Sequence, residues 1–188
     1  MRLIVFTPEL PRQDESELIN KMLEAGIDRV HLRHPGCSRN TLYNIISNIS
    51  PDYRSRVTIH DYFDLVAVFP ELGINLNSRN PIAPSLTHGL ISLSCHTVKE
   101  TELSADYALL SPVFPSISKP GYSATFSSDE LMSLPAGKVI ALGGVTPERI
   151  AVLKRYPFVG AAFLGSVWSK DTTPAAVMKN VDAIIKLK

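Results

Sequence analysis

The sequence lacks the features that would assign it to several common classes of protein. It contains only two cysteines, Cys37 and Cys95, and neither lies in a CxxC pair or at a spacing from histidine that is typical of zinc sites. We expect both to be reduced thiols. An excess of charge of one sign is also missing, because 19 basic and 18 acidic residues leave a formal net charge of +1. We therefore expect a small-molecule ligand, with no nucleic-acid and no membrane partner.

Long hydrophobic runs are absent as well. The apolar run near the N-terminus, residues 3–6, stops at Thr7 and Pro8, and is too short for a signal peptide or a membrane span. We expect a cytoplasmic protein. The 14 prolines and 10 glycines are spread along the chain and mark no linker. We expect one domain over residues 1–188.

Short apolar runs rich in β-branched residues alternate with segments of helical spacing. The predicted strands cover residues 3–7, 29–32, 57–60, 73–76, 90–94, 107–110, 138–142 and 159–163. The predicted helices cover residues 15–25, 39–49, 62–68, 98–103, 129–134, 147–156 and 174–186, with none after the fourth strand, where Pro81 and Pro84 lie. This order predicts an α/β protein, a compact single-domain (β/α)8 TIM barrel. A doubly wound open sheet is the alternative, although no GxGxxG motif follows the first strand.

Glycines stand at the ends of the last two predicted strands. Gly143 and Gly144 follow the seventh strand, and Gly165 and Ser166 follow the eighth. A bound phosphate needs several backbone N–H groups within reach and no Cβ atom in the way, which such turns supply. Because (β/α)8 barrels keep their phosphate site at these two loops, the pattern predicts a phosphate ester as ligand. Gly143 and Gly144 could instead serve only a tight turn.

Polar side chains follow the other strands at the end where a barrel has its active site. They are His31, Arg33 and His34; His60 and Asp61; Asn75, Asn77 and Asn80; Ser94 and His96; and Ser116, Ser118 and Lys119. We predict that these residues gather around one site.

The segments that carry these residues resemble the thiamin phosphate synthase family. They are residues 30–33, 60–65, 94–97, 106–119 and 141–145, in the family's order and over nearly the whole chain. The most specific is DYALLSPVFPSISK, in which two hydroxyls and a lysine follow an aromatic-proline turn. The resemblance implies a (β/α)8 protein of thiamin biosynthesis, often a dimer, which makes Val167 and Trp168 a candidate contact between two copies.

The resemblance also implies roles for individual residues. The thiazole phosphate would be bound by Gly143, Gly144, Gly165, Ser166, Ser116 and Ser118. Arg33 and Lys119 would face the pyrimidine diphosphate, with His60 and Ser94 on the same side, and Asp61 would bind Mg²⁺. His96 matches the catalytic histidine of the TenI-like thiazole tautomerases, a branch of the family that moves a proton and needs no metal.

Three departures from the synthase pattern bear on the reaction. Pro35 stands where family synthases carry a lysine, His60 replaces the asparagine before Asp61, and Asn80 replaces a second acidic Mg²⁺ ligand. An amide in place of a carboxylate weakens a magnesium site. The pattern therefore favours a tautomerase without cofactor over a synthase that uses Mg²⁺, and a phosphate-ligand binder or regulator without catalytic activity is the third hypothesis.

Several histidines keep an alternative interpretation at this stage. His96 could simply bond a carbonyl at a helix start, and His31 could be a satisfied core imidazole. His34 and His60 could be substituted binding residues or remnants of a site no longer used. His31, His34, His60 and Asp61 could also hold a transition metal if the two strands converge. Arg33 could pair with Asp61 or Asp64 instead of a ligand.

Overall fold

Eight parallel strands close into a barrel in which β1 pairs with β8 and every other strand pairs with its neighbour in the chain. The computed structural model describes residues 1–115, 126–168 and 172–188. The strands are β1 Arg2–Phe6, β2 Arg29–Leu32, β3 Val57–Ile59, β4 Gly73–Leu76, β5 Ile91–Cys95, β6 Tyr107–Leu110, β7 Val139–Ala141 and β8 Gly160–Phe163. The predicted TIM barrel is confirmed. The open sheet is ruled out by the pairing of Arg2 with Gly160.

Helices and short 3-10 turns connect the strands. The helices are α1 Glu15–Ala25, α2 Arg39–Ser47, α3 Pro51–Arg54, α4 Ser128–Met132, α5 Ile150–Leu153 and α6 Pro174–Ile185. The 3-10 turns are Phe63–Ala67, Lys99–Glu102 and Pro147–Arg149. Residues 77–90, which are described throughout, contain no helix, as predicted from their prolines.

Four predicted helices differ from the observed ones, and two of these, residues 62–68 and 98–103, are the 3-10 turns Phe63–Ala67 and Lys99–Glu102. The predicted helix 39–49 ends at Ser47, and Pro51 starts the separate helix α3 because proline fits the first turn of a helix. The predicted helix 147–156 is a 3-10 turn followed by the short α5. Its last backbone amides bond to carbonyls three residues back, such as Tyr156 N to Leu153 O at 3.0 Å, and this tightening ends the helix.

Three helix ends carry caps that are typical of their residues, whereas Asp14 and Thr146 make no side-chain cap. Ser127 and Glu130 form a complete capping box, Thr173 accepts from the amide of Ala176, and Gly26 ends α1 at φ 115°. Asp14 does not cap α1 with its side chain. Its carboxylate is bound by the Arg12 guanidinium at 2.8 and 2.9 Å.

The barrel interior has an apolar side and a polar side. Residues of β1, β6, β7 and β8 form a small apolar cluster separate from the larger core that includes Leu3 and Val5 of β1. The inner cluster consists of Ile4, Phe6, Tyr107, Leu109, Ile140 and Ala162. Strands β2 to β5 instead contribute buried polar side chains, which are Arg29 and His31 of β2, Thr58 of β3, Asn75 of β4 and Ser92 of β5. The alternation along β1 is that of barrel strands, whose side chains point in and out in turn.

In the described part of the chain, no helix has both the length and the apolar character needed to cross a membrane.

Candidate active site

An open cleft of about 940 Å³ lies at the carboxyl ends of the strands. The cleft is lined by these predicted site residues: Arg33, His60, Ser94, His96, Gly143, Gly144 and Gly165. Ser166 and Asp61 do not line it. Ser116, Ser118 and Lys119 lie outside the described residues. The structure therefore brings one predicted catalytic residue, the two glycine turns and part of the predicted diphosphate side to a single cleft.

The turn after β7 has a backbone that only glycine adopts easily. Gly143 and Gly144 have φ of 87° and 62°. A Cβ atom on Gly144 would lie 2.3 Å from the carbonyl oxygen of Pro115, and one on Gly143 would lie 2.8 Å from Cα of Pro112. The segment after β6 thus packs directly on this turn, and Phe114 N donates to Gly143 O at 3.1 Å. Tight packing alone is sufficient to explain why glycine stands here.

The amide groups of both glycine turns are available to a ligand. Within the described residues, no hydrogen bond uses the amides of Gly143, Gly144, Gly165 or Ser166 as donors. Ser166 Oγ donates to Val145 O at 3.3 Å and so ties the β8 turn to the β7 turn. Unpaired backbone N–H groups on two adjacent loops, with no side chain in front of glycine, suit a phosphate group.

The His96 imidazole is held in one tautomer at the cleft. Its Nδ1 lies 3.0 Å from the carbonyl oxygen of Ser111, which only accepts hydrogen bonds, so Nδ1 carries the proton. In the neutral ring the lone pair is then on Nε2. The backbone N–H of His96 is also fixed, because it donates to the carboxylate of Glu100, which accepts from Thr97 N as well at 3.1 Å. This arrangement leaves His96 with one free basic nitrogen.

A chain of hydrogen bonds runs from the cleft through the polar side of the barrel. The Asn75 amide nitrogen donates to His60 Nδ1 at 3.2 Å, so the proton of His60 is on Nε2, which donates to His31 Nδ1 at 2.9 Å. His31 then donates from Nε2 to the Tyr107 hydroxyl at 2.7 Å. Tyr107 in turn lies 3.5 Å from the Thr58 hydroxyl. His31 is therefore a satisfied core imidazole, which was one of its two interpretations.

Both imidazoles of this chain are neutral for a physical reason. Burial, followed by the charges of Arg33 and Arg79, lowers the pKa of His60 to about 3. Burial, followed by the neighbouring His60, lowers the pKa of His31 well below its usual value. His60 thus lines the cleft as a neutral hydrogen-bonding group and not as a cation that would attract a diphosphate.

We expect this burial to make the fold sensitive to acid. A histidine whose pKa is lower in the folded state stabilises the fold above its unfolded pKa and loses that contribution as the pH falls from about 6.5 to about 3. Wild type should therefore lose about 2 kcal/mol more unfolding free energy between pH 7 and pH 5 than a His60→Gln variant. Urea denaturation at both pH values measures the difference. A matched His88→Gln variant, at an exposed histidine, should behave as wild type; an equal pH dependence in His60→Gln would contradict the assignment.

The residues at the predicted Mg²⁺ site do not suit a magnesium ion. Among the described residues considered for this site, Asp61 is the one carboxylate, and it already contacts the Asn80 amide nitrogen at 2.9 Å and the Arg79 guanidinium at 3.4 Å. A guanidinium and an amide N–H group next to the carboxylate compete with a cation for its oxygens. In the described part of the chain, no three His, Cys, Asp or Glu side chains lie close enough together to hold a metal ion, so the alternative of a transition-metal site is also unsupported.

Some other residues considered in the sequence analysis do not make the contacts that were suggested for them. His34 is buried against Glu15, with Nε2 2.9 Å from its carboxylate, so it is not a cleft residue. Asp64 pairs with Arg39 at 2.6 Å, which leaves Arg33 at the cleft without the predicted contact to Asp64. Val167 is fully buried and is not available as a contact between copies.

The structure adds cleft residues that the sequence analysis did not single out. They are Glu9, Arg79, Cys95, Glu100, Ser111 and Trp168, among others. Trp168 donates from Nε1 to Phe6 O at 2.7 Å, so its ring forms part of the wall next to β1. Cys95 is not a nucleophile, because burial raises the pKa of its thiol to about 12. Glu100 could have been found from its capping-box spacing to Thr97.

Known proteins similar to this chain share its fold and length. A family model described as thiamine monophosphate synthase matches residues 3–167. Thiamine-phosphate synthases from Desulfitobacterium hafniense and Salinibacter ruber are 25% and 27% identical, over 87% and 88% of this chain and 86% and 81% of theirs. Among solved structures, a thiamine phosphate pyrophosphorylase from Bacteroides thetaiotaomicron has a TM-score of 0.86 and 31% identity, covering 100% of this chain and 97% of its own. One from Pyrococcus furiosus, with 19% identity and a TM-score of 0.75 over 99% and 94% of the two chains, shows the fold alone. The chain belongs to the thiamine monophosphate synthase family.

Proposed function

We propose that this member of the family is a thiazole phosphate tautomerase in thiamin biosynthesis, which aromatises a thiazole carboxylate phosphate by moving a proton. The observation that carries the proposal is the His96 imidazole. Its Nδ1–H is bound to a carbonyl, and it shares one cleft with two turns whose amides suit a phosphate. A phosphate ester bound at Gly143, Gly144, Gly165 and Ser166 would place its ring in the same cleft as this imidazole.

The proposed reaction needs few groups beyond the His96 imidazole and the two glycine turns. His96 Nε2 takes a proton from a ring carbon of the substrate and returns it at the position where the aromatic isomer needs it, so no atom is gained or lost overall. Imidazole suits this exchange because a neutral ring accepts a proton at its unprotonated nitrogen and the resulting cation can donate it again. Leu93, Leu109 and Leu142 line the cleft and give the ring an apolar wall.

A true thiamin phosphate synthase is the second candidate, and the names of the similar proteins favour it. It would join a hydroxymethylpyrimidine diphosphate to a thiazole phosphate and release pyrophosphate, with Arg33 facing the diphosphate. The contacts of Asp61 with Arg79 and Asn80 argue against it, because they occupy the one carboxylate that Mg²⁺ would need. A phosphate-ligand binder or regulator without catalytic activity is the third.

Two assays on the purified wild-type protein separate these functions. The first follows aromatisation of the thiazole carboxylate phosphate by its ultraviolet absorbance, without added metal, and we expect turnover. The second adds the pyrimidine diphosphate, the thiazole phosphate and Mg²⁺ and measures pyrophosphate. Pyrophosphate release would replace the tautomerase with the synthase, and phosphate-ester binding without turnover in either assay would favour the binder.

The proposal also includes a homodimer in the cytoplasm. The dimer contact would have to lie away from Val167, which is buried within one copy. Analytical ultracentrifugation of the free protein measures the oligomeric state.

A further inference from the structure

A second cavity, of about 330 Å³, lies at the opposite end of the barrel from the cleft, where the strands begin. Arg2, Asp28, Arg29, Asp106 and Tyr107 form its polar lining. Ile4, Leu90 and Ile140 form an apolar wall. The cavity shares no residue with the cleft, so what it binds is independent of the proposed reaction.

The Arg29 guanidinium in this cavity is a buried charge without a carboxylate partner. Arg29 is only 9% exposed. Its Nη1 donates to Thr58 Oγ1 at 3.1 Å and its Nη2 to Ser55 O at 2.9 Å, both neutral acceptors. Among the residues that the structure describes, no Asp or Glu lies within ion-pair distance of it. Burying a guanidinium in this way is costly unless an anion balances it.

Four charged side chains line the cavity, the guanidinium groups of Arg2 and Arg29 and the carboxylates of Asp28 and Asp106. Burial has the largest effect on the pKa of Arg29 and lowers it, while Tyr107 and Asp106 raise this pKa and Arg2 and Arg56 lower it. Of the two carboxylates, Asp28 is paired with Lys188 at 2.8 Å. Asp106 accepts from the amide of Ile91 at 2.7 Å.

The backbone keeps room for the guanidinium. A Cβ atom on Gly73 would lie 3.0 Å from Arg29 Nη1 and 2.8 Å from Thr58 Oγ1, so glycine is needed where the guanidinium crosses the start of β4. The Tyr107 hydroxyl adds a polar group beside it. The lining combines the guanidinium groups of Arg2 and Arg29, the second without a carboxylate partner among the described residues, with three aliphatic side chains, and it suits a ligand with a charged head and an apolar body.

We propose that this cavity binds a small organic anion, a carboxylate or a phosphate ester, whose charged head contacts Arg2 and Arg29 and whose body packs on Ile4, Leu90 and Ile140. The size of the cavity limits the ligand to a small molecule. The shared chemistry is the anionic head; inorganic phosphate and isovalerate are probes that distinguish the two kinds of head.

The test follows backbone amide signals by NMR while each probe is added to the full chain. We expect the amides of residues 28, 90 and 106 to shift with at least one probe, as a set separate from residues 143 and 165 of the cleft. Arg2→Gln should raise the Kd of the first set roughly three- to tenfold, and Asp106→Asn, which keeps an acceptor for Ile91, should lower it by a similar factor.

Arg39→Gln is the matched control, because it removes the same charge from the surface pair with Asp64, outside the cavity. Its Kd should equal that of wild type. Opposite effects of Arg2→Gln and Asp106→Asn support the site, and a response to phosphate or to isovalerate alone identifies the head. The proposal is overturned if neither probe shifts the amide signals of residues 28, 90 and 106. It is also overturned if Arg2→Gln and Asp106→Asn give the same Kd as Arg39→Gln.

Discussion

Replacement of His96 by alanine is expected to lower kcat of the tautomerase reaction roughly 100- to 10,000-fold, the usual contribution of a positioned general acid–base group. Among the residues that the structure describes, the variant loses the only imidazole nitrogen at the cleft without a hydrogen-bond partner, since His60 uses both of its ring nitrogens within the barrel. Phosphate-ester binding should change little, because the amides of the glycine turns are untouched. Steady-state kinetics and calorimetric titration with the thiazole phosphate measure the two effects.

His88→Ala is the matched control, because His88 is exposed and does not line the cleft. It should leave kcat and binding as in wild type. Full activity in His96→Ala would remove His96 from the mechanism. If wild type and variant both bind the phosphate ester normally and neither turns it over, the protein is a binder without catalytic activity.

Replacement of Gly144 by alanine is expected to cost about 2–4 kcal/mol of unfolding free energy and to weaken phosphate-ester binding at least tenfold. The new Cβ atom would meet Pro115 O at 2.3 Å and Phe114 O at 2.8 Å, and neither backbone carbonyl is free to move aside. The left-handed φ of 62° adds about 1–2 kcal/mol of strain for a residue with a side chain. Urea denaturation gives the first quantity, and calorimetry with the thiazole phosphate gives the second.

Gly36→Ala separates strain from collision. Gly36 has a similar left-handed φ of 83°, but a Cβ atom there would meet nothing within 4 Å. It should lose only about 1–2 kcal/mol and keep its phosphate affinity. Equal losses in the two variants would show that the contact with the 111–115 segment does not matter.

The sequence was sufficient for the barrel because each strand has a local signal. β-branched runs, helical spacing and prolines after the fourth strand predicted all eight strands to within a residue or two and the missing helix. Helix ends were harder to predict, as α3 and the short α5 show, because the choice between an α-turn and a 3-10 turn depends on small differences in hydrogen bonding.

The parts of the cleft that backbone turns form could be predicted from the sequence. The positions of its side chains could be predicted less well, because each side chain has several possible partners. Glycine after a strand indicates a tight turn from the sequence alone, because it accepts the left-handed φ that such a turn needs, and the turns at residues 143 and 165 do line the cleft. His34 follows β2 as Arg33 does, yet it turns inward to Glu15 of α1. Such a long-range pairing has no local signature, and neither does the contact of Asp61 with Arg79.

The side-chain amide of Asn75 sets the direction of the hydrogen bonds inside the barrel. The amide nitrogen of Asn75 faces His60 and Ser94, and its oxygen accepts from Ser92 at 2.8 Å. Rotation of that amide group by half a turn would reverse the direction of every hydrogen bond in the row that runs from Ser94 at the cleft to the Tyr107 hydroxyl at the far cavity. No heavy atom of the two imidazole rings would have to move. The two ends of the barrel are therefore connected by a row of protons with one direction, and the Leu76 carbonyl oxygen, which accepts from the Asn75 amide nitrogen at 3.3 Å and cannot donate, favours that direction.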